Sequence, residues 1–147
     1  MIALIQRVTQ ARVTVDGQLR GEIAAGLLAF IGMVRGDGPA QAARLLERLL
    51  DYRVFDDGAG RMNRSLRDTG GGLLLVPQFT LAADTSSGTR PGFSPAADPA
   101  LARALFAELL VAARLAHTPV AAGEFGAHMT VTLTNDGPVT FWLEVPP

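Results

Sequence analysis

Two short segments, Pro77-Gln78-Phe79-Thr80-Leu81 and Asn135-Asp136-Gly137-Pro138-Val139-Thr140, hold the groups best placed to do chemistry. Each sets a polar cluster at the end of an apolar, strand-like run, and neither contains histidine, cysteine or lysine. Thr80 is the one hydroxyl that could act as a nucleophile, but a threonine hydroxyl is inert at neutral pH unless a base removes its proton. The segment supplies no base, and the hydroxyl has an alternative task in satisfying a backbone group at the strand end. What the segment does offer is the backbone N–H groups of Phe79 and Thr80, suited to a carbonyl oxygen gaining negative charge. Preorganised donors of this kind stabilise a transition state by roughly 3 kcal/mol each. That suffices only for a bond that is already activated. In the second segment, Gly137-Pro138 interrupts a strand-like run. Proline cannot donate a ladder hydrogen bond and glycine packs no side chain, so sheet interiors normally exclude both. The usual reason for such a pair is that the backbone must approach something closely. A site built from main chain is expected.

Other chemistries find little support. Of the two histidines, His117 follows a helix and is expected to be a solvated C-terminal residue favoured by the helix dipole. His128 opens a strand near the second segment, as either a substrate-facing group or an edge polar residue. Neither sits in HExxH or another ligand spacing, so neither a metal nor a cofactor is expected. Asp56-Asp57 lies in a glycine-rich turn where aspartate serves as a local acceptor. Gly70-Gly71-Gly72 lacks the strand-to-helix context of a phosphate cradle, and Asp84 and Thr85 fit a turn as well as a substrate contact. The chain has no cysteine, which excludes thiolate metal sites, disulfides and cysteine nucleophiles. All 13 basic residues are arginine, which removes Schiff-base and Walker-type lysine chemistry. A net charge of −1 argues against a protein that coats nucleic-acid backbone non-specifically.

The elements that must position these segments follow from patterning. A chain of 147 residues with 48% hydrophobic content fits a single domain spanning residues 1–147 with a sizeable core. Residues 2–9 and Arg12–Val15 read as strand, ending in the hairpin dipeptide Asp16-Gly17. Gln18–Ala24 and Leu27–Val34 read as two more strands. Pro39 sits just inside a helix start capped by Asp37 or Gly38, and leucines at 45, 46, 49 and 50 carry its apolar face to about Tyr52. Arg53–Phe55 is a short strand. The three glycines at 70–72 introduce a central strand, Leu73–Val76, which runs into Pro77. Ala82–Pro95 is a long polar loop, and a second helix opens at Asp98 or Pro99 with Leu101, Leu105, Leu109 and Ala113 on one face. Pro119–Gly126, His128–Thr134 and Val139–Val145 complete the strands. Many strands with two inserted amphipathic helices make an α+β fold, β-rich and barrel-like. The longest apolar stretch, Ala24–Val34, is about half of the ~20 residues of a membrane span. The opening run Met1–Ile5 is too short for a signal-peptide core. No membrane partner and a cytoplasmic location are expected.

Taken in order, Ile5-Gln6-Arg7-Val8, Val13-Thr14-Val15-Asp16-Gly17, Arg53-Val54-Phe55, Met62-Asn63, Gln78-Phe79-Thr80-Leu81, Ala83-Asp84-Thr85, Arg90-Pro91, Phe125-Gly126-Ala127 and Asn135-Asp136-Gly137-Pro138-Val139-Thr140 run the length of the chain. Each alone is weak. In this order they resemble the D-aminoacyl-tRNA deacylases of the widespread bacterial and eukaryotic type.

The resemblance implies a homodimer with active sites at the subunit interface, acting on the acceptor end of aminoacylated tRNA. Gln78, Phe79 and Thr80 would carry the catalytic donors. Pro77, Leu81, Met129 and Asn135 would bind substrate, with the Gly137-Pro138 peptide cis and reaching into the partner's pocket. Arg7 would brace that element. The substrate ester is reactive, and the adjacent RNA 2′-hydroxyl would supply help that no side chain offers. Backbone carbonyls of Gly137 and Pro138 would accept the small groups of a D-residue and clash with an L side chain. Glycine would pass the same filter. Gripping a single-stranded end needs stacking and a few polar contacts rather than a basic stripe, so near-neutral charge is compatible. Two positions depart from the pattern. Pro77 stands where serine is usual, and a related class selective for L-alanyl-tRNA carries Pro-Gln-Ala-Thr-Leu there, which makes a trans Gly137-Pro138 peptide the alternative; Phe79 and the Asn-Asp-Gly-Pro-Val-Thr run follow the D-specific form. Ser86-Ser87 stands where basic residues are common, which should weaken contacts to the tRNA backbone. A non-catalytic module that binds the acceptor end is the remaining alternative.

Overall fold

The computed structural model describes all residues, Met1–Pro147. The chain opens on a long strand, β1 (Ile2–Val15), and folds back through Asp16-Gly17 into β2 (Gln18–Ile23). Both turn residues take positive φ, 51° at Asp16 and 76° at Gly17, as a two-residue hairpin turn matched to the sheet's twist demands. β3 (Gly26–Gly32) continues along the same edge of β1, so the two halves of β1 have different partners there. Its other edge pairs throughout with β8 (Thr130–Glu144). Beyond β3 the sheet becomes parallel, adding β6 (Gly72–Pro77) and then β7 (Val120–Ala122). β7 comes round to β2, where a Cβ added at Gly21 would lie 2.8 Å from the Ala122 carbonyl oxygen. The sheet is therefore a nearly closed barrel.

Alternation along the strands splits the apolar residues between two cores. Ala3, Ile5, Leu27, Ala29, Ile31, Leu73 and Leu75 face α1 (Pro39–Asp51) and α3 (Pro99–Ala116). Val8, Val13, Leu28, Leu74 and Val76 face the barrel interior. Leu45, Leu46, Leu49 and Leu50 form the buried stripe of α1 as their spacing predicts, with Gly38 as N-cap and Pro39 as the first helical residue. Asp37 instead turns inward: its Oδ1 accepts from the Met1 ammonium at 2.7 Å and its Oδ2 from the Val34 N–H at 2.8 Å.

Several expectations are corrected. There is a third, short helix, α2 (Leu66–Thr69), held by reciprocal capping between Ser65 and Asp68. It follows β5 (Met62–Arg64), which pairs with β4 (Phe55–Asp56); β4 begins two residues later and ends one residue later than the strand read at Arg53–Phe55. The segments read as His128–Thr134 and Val139–Val145 are one strand, β8, because the Gly-Pro run bulges without ending the pairing. Pro119–Gly126 is strand only over β7. Leu101 does not join the buried face of α3, since a four-residue step drifts around a 3.6-residue helix; Ala102 takes the place instead. His117 caps α3 but is half-buried, its Nε2 2.6 Å from the Gly71 carbonyl oxygen, so that contact rather than solvent defines it. No helix is long and apolar enough to cross a membrane.

Candidate active site

A cleft of about 590 Å³ opens at the C-terminal ends of β3 and β6. In sheets with parallel pairs this is where the strand ends leave room for a ligand. The β3–β6 ladder runs to Ile31 opposite Pro77, and the Gln78 N–H then donates to the Ile31 carbonyl at 2.7 Å. The chain next enters a 3-10 turn, Phe79–Ala82. Its first internal donor is Leu81, bonded to the Gln78 carbonyl at 3.2 Å. The N–H groups of Phe79 and Thr80 stand ahead of that donor, where a helical turn leaves its opening groups without internal partners. The Gln78 amide donates to the Thr80 hydroxyl, which ties the polar side chains of the segment to one another.

Phe79 is 59% exposed and Phe93 40% exposed, their ring centroids 5.0 Å apart and tilted by 47°. Two aromatic faces left in solvent beside a cleft form a platform for a flat ligand. The opposite wall is the Phe125–Met129 stretch. Arg103 on α3 lies 4.9 Å over the Phe125 ring, and Met129 Sδ accepts from the Glu124 N–H at 3.4 Å. Gly123 permits that packing, since a Cβ there would sit 2.8 Å from Met129 Sδ. Among the seventeen lining residues, His128 is the only one with a titratable side chain, and no carboxylate faces the cleft. The arrangement provides apolar walls, aromatic surface and main-chain donors, but no acid–base pair. Nowhere in the chain do three or more metal-ligating side chains cluster.

The long loop is folded back on itself by paired backbone bonds between Asp84 and Gly92, at 2.7 and 2.9 Å. The Asp84 carboxylate accepts from Ser86, and those hydrogen bonds hold its pKa below the ordinary value. Asp84 thus serves the turn.

The Gly-Pro element lies apart from the cleft of its own chain. Gln6 pairs with Thr140 and Val8 with Asn135, so Asp136 through Val139 bulge out opposite Arg7 alone. Arg7 Nε donates to the Asp136 carbonyl at 3.1 Å and its Nη1 to the Val54 carbonyl at 2.8 Å. Asn135 closes the bulge, its Oδ1 accepting from the Val139 N–H and its Nδ2 donating to the Thr140 hydroxyl, both at 3.0 Å. The Gly137-Pro138 peptide is cis, as is Thr118-Pro119. Gly137 has φ of 135°, and a Cβ there would lie 2.6 Å from Val139 Cγ2, so only glycine fits. Gly137 and Pro138 are exposed.

Of the residues expected from sequence, Pro77, Gln78, Phe79 and Met129 line the cleft together, with Thr80 bonded to Gln78 beside them. Leu81 packs against Gly32 instead. Arg7, Asn135, Gly137 and Pro138 form their own cluster. Sequence reasoning missed Phe93, Met33 and Ala102 as lining residues. An aromatic residue in a Ser, Gly and Pro-rich loop was the available signal for Phe93.

Comparison with known proteins sharpens the picture. The sequence model of the D-Tyr-tRNA(Tyr) deacylase family matches residues 4–144. A D-aminoacyl-tRNA deacylase from Thioalkalivibrio sulfidiphilus is 69% identical over 147 residues, covering 100% of this chain and 99% of the relative. The protein of the same name from Xanthomonas euvesicatoria pv. vesicatoria is 66% identical over 144 residues, covering 97% and 99%. A solved structure described as c-Myc DNA Unwinding Element Binding Protein superposes with a TM-score of 0.94 at 34% identity, each chain fully covered. A probable eukaryotic D-amino acid tRNA deacylase shares the fold, with a TM-score of 0.84 at 17% identity over 98% of each chain.

Proposed function

The chain belongs to the D-Tyr-tRNA(Tyr) deacylase family, enzymes that hydrolyse the ester of D-aminoacyl-tRNA, and on that premise we propose how its cleft does so. The terminal adenosine stacks on the Phe79–Phe93 platform, and the ester carbonyl meets the N–H groups of Phe79 and Thr80. Water adds to the carbonyl carbon, the oxyanion rests on those donors, and the bond to the ribose 3′ oxygen breaks. That oxygen takes a proton with help from the neighbouring 2′-hydroxyl of the RNA, and the amino acid leaves as its carboxylate. The observation that carries this reading is a cleft without a carboxylate or a base-activated hydroxyl, bordered by the free opening of a 3-10 turn. Each main-chain donor in such a role is worth about 3 kcal/mol.

Selection for the D-configuration is assigned to Gly137 and Pro138. These residues are exposed and are not among those lining the cleft of their own chain, so exclusion requires a second copy that offers them to this one. An apolar stripe supports a homodimer: Trp142, 51% exposed, pairs across the sheet with Leu4, which pairs with Phe30. Glycyl-tRNA, with no side chain to clash, is accepted. The site of action is the cytoplasm, where charged tRNA is used.

The test is hydrolysis of D-tyrosyl-, L-tyrosyl-, glycyl- and L-alanyl-tRNA by the purified protein, with its oligomeric state measured at assay concentration. The first and third should be cleaved and the second spared. Equal cleavage of both tyrosyl substrates, or a monomer that still discriminates, defeats the exclusion mechanism. Preference for L-alanyl-tRNA would instead follow Pro77 to the related class.

A further inference from the structure

A second concavity, of about 550 Å³, adjoins the cleft and shares with it a wall of Phe93, Ala96, Ala97 and Pro99. Arg35 forms part of its lining. The backbone N–H of Arg35 donates to the Pro95 carbonyl at 2.9 Å and its Nε donates to the Ser94 carbonyl. The side chain is thereby fixed at the rim while its two terminal nitrogens make no protein hydrogen bond. None of the ion pairs in the chain involves Arg35. The one acid in the concavity, Asp98, is engaged in capping α3, its Oδ1 accepting from the N–H groups of Ala100 and Leu101 at 3.0 and 3.4 Å. Leu101 lines the same space and is 43% exposed on the first turn of α3.

A fixed guanidinium beside an apolar surface is the pair of contacts that a nucleotide requires, charge for its phosphate and a face for its base. We infer that this concavity receives the penultimate nucleotide of the RNA strand, its 3′-phosphodiester on Arg35 and its base against Leu101 and Phe93. The inference rests on the terminal adenosine occupying the adjoining cleft. It also accounts for an acceptor end being gripped by a chain of net charge −1, since one well-placed cation replaces a basic stripe.

The experiment compares two minimal substrates, the D-tyrosyl ester of adenosine and the D-tyrosyl ester of the dinucleotide cytidylyl-adenosine. Wild-type protein should favour the dinucleotide by about tenfold in kcat/KM, the effect of one hydrogen-bonded charge pair. Arg35→Ala should remove that advantage, leave the adenosine ester unaffected, and reduce the slope of log kcat/KM against log salt by about 0.7. Leu101→Ser should reduce the advantage in the same selective way without altering the salt slope. Equal losses on both substrates, or an intact dinucleotide advantage in Arg35→Ala, overturns the inference. Wild-type cleavage of the adenosine ester with no dinucleotide advantage refutes this subsite alone. Cleavage of neither ester refutes the reading of the cleft and this subsite with it.

Discussion

Arg7 grips Asp136 twice, through its Nε to the backbone carbonyl at 3.1 Å and to the carboxylate Oδ2 at 3.3 Å. The same guanidinium is tied to the Val54 carbonyl, so the bulge that carries Gly137 and Pro138 is anchored across β1 to the chain that follows α1. Hydrogen bonds to a charged group contribute about 1.5–3 kcal/mol. Arg7→Ala should therefore let the bulge move, and the ratio of D- to L-tyrosyl-tRNA hydrolysis should fall by roughly tenfold. Parallel rate measurements on the two substrates decide it; an unchanged ratio means the bulge is held without Arg7.

Thr80→Ala removes the hydroxyl that accepts from Gln78 but keeps the main chain in place. If the donors are the backbone N–H groups, kcat/KM should stay within about tenfold of wild type, because the loss of a single oxyanion donor costs ~10²–10³. A folded variant with no turnover would return the hydroxyl to the role of nucleophile.

How much of this was legible in the residues depended on whether the signal was local. The two segments stand out because Gly-Pro in a strand contradicts ordinary sheet chemistry and because Gln78 to Thr80 set a polar cluster at the end of an apolar strand. The Pro39 helix start and the Asp16-Gly17 turn followed from backbone rules acting within a few residues. The short α2 was missed because four residues carry too little periodicity to register, although Ser65 and Asp68 stand at capping-box spacing. The contact between His117 and Gly71, and the separation of the Gly-Pro bulge from its own cleft, join residues distant in sequence. No local pattern encodes those. Leu101 leaves the buried face for a simpler reason: successive four-residue steps drift around a helix of 3.6 residues per turn.

The capping of α2 should leave a trace in the pH dependence of stability. The Asp68 carboxyl is held below its usual pKa first by the Ser65 backbone N–H and then by the Ser65 hydroxyl. A depressed folded value means that the unfolded chain binds the proton more readily, so stability is gained as pH rises. The contribution is complete above the unfolded value of about 3.9 and is lost as pH falls through the lower folded value. The melting temperature of Asp68→Asn should lie below that of wild type near pH 6, with the two curves converging below about pH 4. A gap that persists unchanged into acid would assign the effect to packing rather than to charge.

Where β3 and β6 begin, Gly26 pairs with Gly72, and a Cβ added to Gly26 would stand 2.0 Å from the Gly72 carbonyl oxygen and 2.6 Å from its nitrogen. Both obstacles are backbone, so no change of rotamer relieves the clash, and the ladder itself must open. Overpacking of this kind costs about 3 kcal/mol or more. At this chain length Gly26→Ala should lower the melting temperature by roughly 10 °C. The same ladder ends at Ile31 and Pro77, both on the cleft wall. Opening it should therefore shift the 3-10 turn and reduce deacylation at temperatures where the variant is still folded. Calorimetry paired with rates at low temperature separates the two effects: a variant as stable and as active as wild type would show that the two strands tolerate a wider spacing than their glycines allow them now.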